Sequence, residues 1–184
     1  MKRILSAAFA MLALAAPAFA ANWAVDPARS QLGFEVVIDG TPVRGSFSIW
    51  TAEIAFDPAD LTSAHAKVTI DVGTANSGNG TRDDALDGDK WFDVANTPQA
   101  VFDTSAFRQT GEGAYEVDAT LTMRGTAHPV TLPFTLQIAN GEAHMTARLT
   151  IDRTLWNIGQ GSYASDTPVA TKVDVVIDLI AKAS

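Results

Sequence analysis

Regular alternation of apolar and polar residues is the feature that most constrains the fold of this chain. In residues 115–124, every second residue is apolar and each residue between them is polar or charged. A period of two is typical of a β-strand with one buried face, because successive side chains point to opposite faces. The same period predicts further strands over residues 30–38, 43–55, 64–72, 99–107, 130–138, 143–151 and 173–179.

Short turn sequences separate these strands. Asp39-Gly40, Gly111-Glu112-Gly113, Gly125 and Asn140-Gly141 are of the kind that joins neighbouring antiparallel strands. About eight strands joined in this way predict an all-β antiparallel meander, either a sandwich or a closed barrel. A barrel removes exposed edges and at this size can hold one small ligand, so we favour it. Pro129 and Pro133 predict an edge, a bulge or a weakly paired seam in their strand.

The segment 81–93, TRDDALDGDKWFD, interrupts the strand pattern. It predicts one or two helical turns near one end of the barrel, with Thr81 as N-cap and Asp84 as its partner. Its acids lack the spacing of a calcium loop, so we interpret them as capping and solvated groups. Arg82 and Asp83 are expected to form an ion pair or a hydrogen-bonding group at the barrel mouth.

Composition and motifs argue against several function classes. The chain has no cysteine, which excludes thiol catalysis and disulfide chemistry, and its net charge of −8 gives no basic footprint for nucleic acid. No serine lies in a nucleophile elbow, and His65, His128 and His144 have no metal-ligand spacing. We therefore expect no catalytic residues, no metal and no cofactor, and interpret the protein as a non-enzyme.

The N-terminal pattern predicts an export signal. Lys2 and Arg3 precede an apolar run over residues 4–16, and Ala18-Phe19-Ala20 is a small-x-small cleavage site. The run is shorter than the roughly 18 apolar residues of a membrane span. We predict a signal peptide over residues 1–20, cleavage after Ala20, a single domain over residues 21–184, and a periplasmic location.

The inward faces of the predicted strands mix large and small side chains. Aromatic residues alternate there with alanine, glycine and two methionines, Met123 and Met145. Small residues among large ones can leave an apolar cavity, and methionine adapts to an irregular chain-like ligand. Any one of the aromatic residues could be ordinary core, but the set favours a lipid-like ligand inside the barrel.

Several short motifs, in order, resemble those of the YceI-like, lipocalin-like periplasmic proteins over essentially all of residues 21–184. The motifs are DPARS at 26–30, VRGSF at 43–47, IDV at 70–72, RD at 82–83, WFD at 91–93, LTMRGT at 121–126 and IDR at 151–153. The resemblance implies a lipocalin-like barrel with a helical segment near one end. It also implies a tunnel for a polyisoprenoid, a quinone-like molecule or another amphiphilic lipid.

This resemblance and the inward faces together define the candidate ligand-binding residues. They are Phe34, Val36, Phe47, Ile49, Val68, Ile70, Arg82, Asp83, Leu86, Trp91, Phe92, Phe102, Leu121, Met123, Phe134, Leu136, Met145, Leu149 and Trp156. Arg82 and the Trp91-Phe92 pair are expected to form a gate over the tunnel. Many relatives have histidine where this chain has Arg29, so head-group contacts do not transfer from them.

The sequence is also compatible with two other roles. Trp50 and the segment 158–161 are closer to relatives found beside or fused to membrane b-type cytochromes. That likeness makes an accessory protein docking on such a redox complex, without its own ligand, the alternative to a lipid carrier. An enzyme using Arg82 and Asp83 is the third hypothesis, and a homodimer is also left open.

Overall fold

Eleven strands and one short α-helix make up residues 21–184, the part of the chain that the computed structural model describes. The predicted signal peptide lies outside the described residues. The strands are β1 Asn22–Val25, β2 Gln31–Ile38, β3 Thr41–Phe47, β4 Trp50–Ala55, β5 His65–Asp71, β6 Ala75–Asn76, β7 Gln99–Gly111, β8 Ala114–Met123, β9 Thr126–Ala139, β10 Glu142–Asp152 and β11 Val169–Ala183. The helix α1 is Gly80–Asp87, and 3-10 turns occupy Val72–Thr74, Arg153–Trp156 and Gly161–Tyr163.

The sheet closes on itself because β1 pairs with both β4 and β11. The closed ring runs β1, β4, β5, β7, β8, β9, β10 and β11, and every neighbouring pair in it is antiparallel. The predicted all-β antiparallel barrel of about eight strands is therefore confirmed, and the sandwich is excluded. We call the end that contains β1 the lower end and the end that contains α1 the upper end.

The long strand β11 changes partner along its length. Its last residues, Ala181–Ala183, pair with β1, whereas Val169 and residues 173–178 pair with β2. The hairpin β2–β3, extended by the two-residue β6, therefore adds to the wall towards the upper end. This arrangement makes the barrel deep, because β11 serves two successive neighbours on the same side.

Three hairpin turns follow the chemistry that the sequence predicts. Asp39-Gly40, Arg124-Gly125 and Asn140-Gly141 each have positive φ at both residues, with values between 47° and 75°. Two residues with positive φ define the turn whose twist matches that of antiparallel strands, and glycine takes the second position without steric cost. These turns set the register of β2–β3, β8–β9 and β9–β10.

Strand β9 contains the predicted weakly paired seam. It pairs with β8 from Thr126 to Thr135, but its pairing with β10 extends only from Ala139 to Phe134. Pro129 and Pro133 lie in the part that is unpaired with β10. Because proline has no N–H to donate, the β9–β10 ladder ends next to them and the prediction is confirmed.

Helix α1 crosses the upper end, as the sequence predicts, but begins differently. Asn79, not Thr81, is the N-cap, and its side chain accepts a hydrogen bond from the Arg82 backbone N–H at 3.1 Å. Asp84 is exposed and takes no part in the cap. Asparagine is among the strongest N-cap residues, and it lies one position before the helix begins.

Candidate ligand-binding site

A cavity of about 720 Å³ runs through the interior of the barrel. It extends from Trp23 and Phe56 at the lower end to Asn79 and Arg82 on the upper end. Apolar side chains from every strand of the closed ring and from the β2–β3 hairpin line most of it, and β1 contributes Trp23 at the lower end. This size lies within the usual range for pockets that bury a small ligand.

Most residues predicted from the sequence line this cavity. They are Phe34, Val36, Phe47, Val68, Ile70, Arg82, Leu86, Trp91, Phe92, Phe102, Leu121, Met123, Phe134, Leu136, Met145 and Leu149. Alternation brings the strand residues together because the inward faces of the ring and of the β2–β3 hairpin meet at the cavity. Helix α1 and the loop after it add Arg82, Leu86, Trp91 and Phe92. Their contact with a ligand stays a prediction.

Ile49 does not line the cavity, which corrects one prediction. Its side chain is 58% exposed. The chain leaves β3 after Phe47 and enters β4 at Trp50, and the backbone N–H groups of Ser48 and Ile49 both reach the Thr74 hydroxyl at 3.2 Å. The alternation therefore breaks between the two strands, and Ile49 faces outward.

Trp156 is a second correction, because it belongs to the wall and not to the cavity. Its side chain is 1% exposed, and its indole N–H donates to the Leu121 carbonyl at 3.0 Å. The His128 ring packs edge-on against it at 5.0 Å, and His128 also meets the Leu155 carbonyl. Trp156 therefore packs beside the unpaired part of β9 and helps to fill the wall there.

Asp83 is the third correction, because it does not line the cavity. Of the two arrangements expected for Arg82 and Asp83, the structure has the hydrogen-bonded group, formed through Ser77, and not the ion pair. Arg82 donates from Nε to the Ser77 hydroxyl at 2.7 Å and from Nη2 to the Ser77 carbonyl at 3.1 Å. Asp83 accepts from the Ser77 hydroxyl and backbone N–H. The hydrogen bond from the Ser77 hydroxyl, assisted by the Arg82 charge, lowers the pKa of Asp83.

Arg82 lines the cavity and keeps unused donor capacity. Its Nε and Nη2 are used by Ser77, whereas Nη1 has no hydrogen-bond partner among residues 21–184. Asn79 and Thr81 lie beside it in the cavity lining, and Asp39 reaches the lining from the β2–β3 turn. The upper end therefore carries most of the polar groups of the cavity, as a ligand with a polar head group requires.

Four aromatic residues close the lower end, and the sequence analysis placed only one of them, Phe134, in the site. Phe56, Phe107 and Phe134 pack edge to face, with ring centroids 5.5 to 6.4 Å apart, and Trp23 lies beside them. We call Trp23, Phe56, Phe107 and Phe134 the aromatic floor. Phe56 follows Ile54 in the same alternation, so the sequence carried a signal for it.

Phe107 was missed for a different reason. The β7–β8 register shifts between Thr104 and Ala106, where β7 has one extra residue. Counting by twos from Phe102 passes through Thr104 and Ala106 and leaves Phe107 on the outer face. The bulge reverses the alternation below Thr104, so Phe107 points inward.

Arg153 is a buried cation beside the upper part of the cavity. It is 2% exposed and donates to backbone carbonyls that include Ile158, Tyr163 and Val169 at 2.6 to 2.7 Å. Its guanidinium also lies 5.3 Å from the Trp91 ring centroid. Burial lowers the pKa of Arg153, and the carbonyl dipoles stand in for a carboxylate. The residue holds segment 158–170 in place over the cavity.

Two exposed histidines of the described residues each contact an aspartate on the outer surface. His65 and His144 pair with Asp103 and Asp178 at 3.0 and 2.8 Å, on exposed faces. Within residues 21–184, no three His, Asp or Glu side chains are close enough together to hold a metal ion. None of the helices described there has the length and hydropathy needed to cross a membrane.

A closed antiparallel barrel around an elongated apolar cavity, with polar groups mainly at one end, defines a lipocalin-like protein. Sequence comparison then gives the family: residues 23–181 match the YceI-like domain, and the chain belongs to that family. The resemblance stated from the short motifs is thereby confirmed.

Solved structures show the same fold. BcnA of Burkholderia cenocepacia is 32% identical, with a TM-score of 0.83, over 85% of this chain and 99% of that one. A Campylobacter jejuni YceI protein is 22% identical, with a TM-score of 0.70, over 78% and 86%. A Saccharophagus degradans domain is 17% identical, with a TM-score of 0.70, over 91% and 100%.

Curated relatives match over shorter stretches. A UPF0312 protein of Yersinia pestis is 32% identical over 88 residues, which is 48% of this chain and 45% of the relative. A UPF0312 protein of Pseudomonas savastanoi is 28% identical over 118 residues, or 64% and 57%. The chain spans about half the length of the curated relatives it matches.

Proposed function

We propose that this protein binds one long-chain apolar lipid inside the barrel, an isoprenoid, a quinone-like molecule or another amphiphile, and acts as its carrier. One observation carries the proposal: the cavity is continuous from the aromatic floor to Arg82, and its lining is almost wholly apolar. An extended hydrocarbon fits such a space, and a head group fits the polar upper end. The proposed role is binding without turnover.

The energetics of burial favour this ligand class. Removing apolar surface from water contributes about 25 cal/mol per Å², so each 100 Å² of buried ligand contributes about 2.5 kcal/mol. A long hydrocarbon can therefore bind with few directed contacts. The Nη1 group of Arg82 adds a hydrogen-bond donor for an oxygen-bearing head group.

The description of one structural relative also supports the proposal of lipid binding. The Saccharophagus degradans domain is described as a polyisoprenoid binding domain implicated in plant cell wall breakdown. At 17% identity that likeness concerns the fold, so the ligand of the present protein is argued from its own cavity.

Ligand identification from native material tests the proposal. Protein purified from its own host is analysed by native mass spectrometry and, after solvent extraction, by lipid mass spectrometry. We expect one lipid of the isoprenoid or amphiphilic class per chain. Empty protein that also fails to take up isoprenoids or quinones when they are supplied would contradict lipid binding.

The proposed compartment is the periplasm, on the strength of the signal-like residues 1–20. The mass of the protein isolated from a periplasmic extract tests both the location and the cleavage site. We expect the mass of a mature chain that begins at Ala21. Recovery of the unprocessed chain in the cytoplasmic fraction would contradict this part of the proposal.

The cytochrome-docking alternative is not favoured by any specific observation. It would have been supported by a barrel filled with side chains, and the cavity of about 720 Å³ is the opposite arrangement.

The enzymatic alternative requires that substitution of Arg82 or Asp83 abolish a measurable turnover. We expect instead that Arg82→Gln alters lipid affinity.

A further inference from the structure

The polar groups of the cavity are unevenly distributed along its length. Asp39, Asn79, Thr81 and Arg82 lie at the upper end, and so do Arg153, under segment 158–170, and Tyr163, within that segment. Among the described residues, Thr104 is the one hydroxyl that lines the lower part. The indole N–H of Trp23, the other polar atom there, is occupied by the Phe56 carbonyl at 2.9 Å.

Thr104 is buried, and its hydroxyl accepts one hydrogen bond but donates none within residues 21–184. The side chain lies at the bulge of β7, and the residue is 8% exposed. Its hydroxyl oxygen accepts from the Ala66 backbone N–H at 2.7 Å. A hydroxyl can also donate one hydrogen bond, and among residues 21–184 that hydrogen has no acceptor.

A purely structural role accounts for the hydrogen bond that Thr104 accepts, but not for its free donor. The β5–β7 ladder ends at Lys67 and Asp103, and the Thr104 oxygen then replaces a strand partner for Ala66. Any side chain that provides an acceptor would do this. The free donor is not explained by the bulge, and most buried polar hydrogens in proteins have a partner.

A trapped water is a poor partner for this donor. A buried water usually makes two to four hydrogen bonds, and around Thr104 the lining is apolar. Ala66 lies beside Thr104 on β5, Phe102 is the next inward residue of β7 above it, and Phe107 of the aromatic floor is the next one below. A ligand atom can instead approach the hydroxyl directly, because Ala66 leaves space beside it.

From this geometry we propose that Thr104 donates a hydrogen bond to the buried end of the ligand. That end therefore carries an acceptor oxygen, a chain or ring carbonyl, and not a plain hydrocarbon terminus. The inference rests on the proposed lipid binding and narrows it to an amphiphile with polar atoms at both ends: a head group near Arg82 and a carbonyl beside Thr104.

The test uses two probes of the same shape. One is a long-chain isoprenoid alcohol whose far end is a methyl ketone, and the other ends in an isopropenyl group, in which a CH₂ replaces the carbonyl oxygen. Dissociation constants are measured for both probes with the wild-type protein and with Thr104→Val. We expect the ketone-to-alkene affinity ratio to fall by about three- to tenfold in the variant, since one hydrogen bond is lost.

Control variants separate the proposed hydrogen bond of Thr104 to the ligand from effects on folding. Thr104→Val also removes the acceptor for Ala66, but that loss affects both probes and cancels in their ratio. Thr104→Ser keeps the hydroxyl and should keep the wild-type ratio, as should Thr120→Val, an exposed threonine of the adjacent strand β8. If Thr104→Val does not fold, the infrared carbonyl band of the ketone bound to wild-type protein decides, because a hydrogen bond lowers its frequency.

Each outcome is informative. An unchanged ratio in folded Thr104→Val, or a bound carbonyl band at the frequency found in alkane solution, overturns the role of Thr104 and leaves lipid binding intact. Failure of wild-type protein to bind either probe overturns both proposals. A reduced ratio in Thr104→Val together with a preserved ratio in Thr104→Ser supports the carbonyl at the buried end.

Discussion

At the scale of single residues, Arg153 and Gly159 depend on each other for space. Arg153 lies under segment 158–170 and donates to its carbonyls, and Gly159 passes directly over the guanidinium with φ of 79°. A Cβ at Gly159 would overlap the guanidinium and lie 3.2 Å from the Tyr163 carbonyl. Glycine is required here both by the backbone conformation and by the close approach of the arginine.

Substitution of Gly159 tests this packing. We expect Gly159→Ala to lower the free energy of unfolding by about 2 to 5 kcal/mol, from the positive φ and the overlap together. Gly40→Ala is the matched control, because Gly40 has φ of 75° and no heavy atom within 4 Å of an added Cβ. It should cost about 1 to 2 kcal/mol in urea unfolding. Equal losses for the two variants would show that Arg153 imposes no constraint.

Single residues also show where sequence patterns succeed and fail. Phe102 and Phe134 are placed inward by simple alternation, and both line the cavity. Ile49 and Phe107 are misplaced by the same count, because a strand ends before one and a bulge precedes the other. An alternating pattern transmits side-chain direction only while pairing is uninterrupted.

At the scale of elements, α1 is held to the barrel by a small polar network. Ser77 stands between Arg82 and Asp83 and connects both to the segment that follows β6. Asn79 caps the helix, and the acids Asp84 and Asp87 face solvent. The sequence predicted a short helix here, but its cap and the partner of Arg82 depend on how the preceding loop folds.

The depressed pKa of Asp83 gives a pH-dependent prediction. A carboxyl group whose pKa is lowered by folding stabilises the folded state above its ordinary pKa of about 3.9, and this contribution is lost as pH falls through the lower value of the folded state. We expect amide hydrogens of α1 to exchange faster as pH falls below about 4, relative to β8 amides in the same sample.

Asp83→Asn is the direct comparison. It should make α1 exchange at neutral pH resemble that of the acidified wild-type protein and remove the further change below pH 4, where pH 4 is about the ordinary pKa of aspartate. Asp84→Asn, on the exposed side of the same helix, should retain the wild-type profile. A profile for Asp83→Asn that still follows the wild type would contradict the role of the Ser77 network.

At the scale of the whole molecule, the barrel leaves its interior partly unfilled. Proteins of this size normally pack their cores densely, and an apolar cavity of about 720 Å³ loses contacts that a filled core would gain. A bound lipid would restore these contacts. The proposed lipid binding therefore requires this cavity, which the barrel forms as a whole.

Filling the cavity tests this directly. Ala66 lines the cavity from β5, so Ala66→Phe places a ring in the space of the ligand. We expect lipid affinity to fall at least about tenfold, the equivalent of about 1.4 kcal/mol, while stability is retained or raised because the ring buries apolar surface. Fluorescence titration and thermal unfolding measure the two effects. Ala127→Phe, on the exposed face of β9, is the control and should bind normally. Unchanged affinity in Ala66→Phe would place the ligand outside the barrel.

The sequence by itself determined the strand faces, the hairpin turns and the all-β class, because these depend on side-chain period and local φ preferences. Most of the residues that it placed in the site, through inward faces and the resemblance to a family, line the cavity. Only the tertiary structure decided that Phe107 points inward, that Trp156 fills the wall, that Ser77 separates Arg82 from Asp83, and that Thr104 carries a free donor. These depend on bulges, strand ends and contacts between distant segments, which a period of two does not encode.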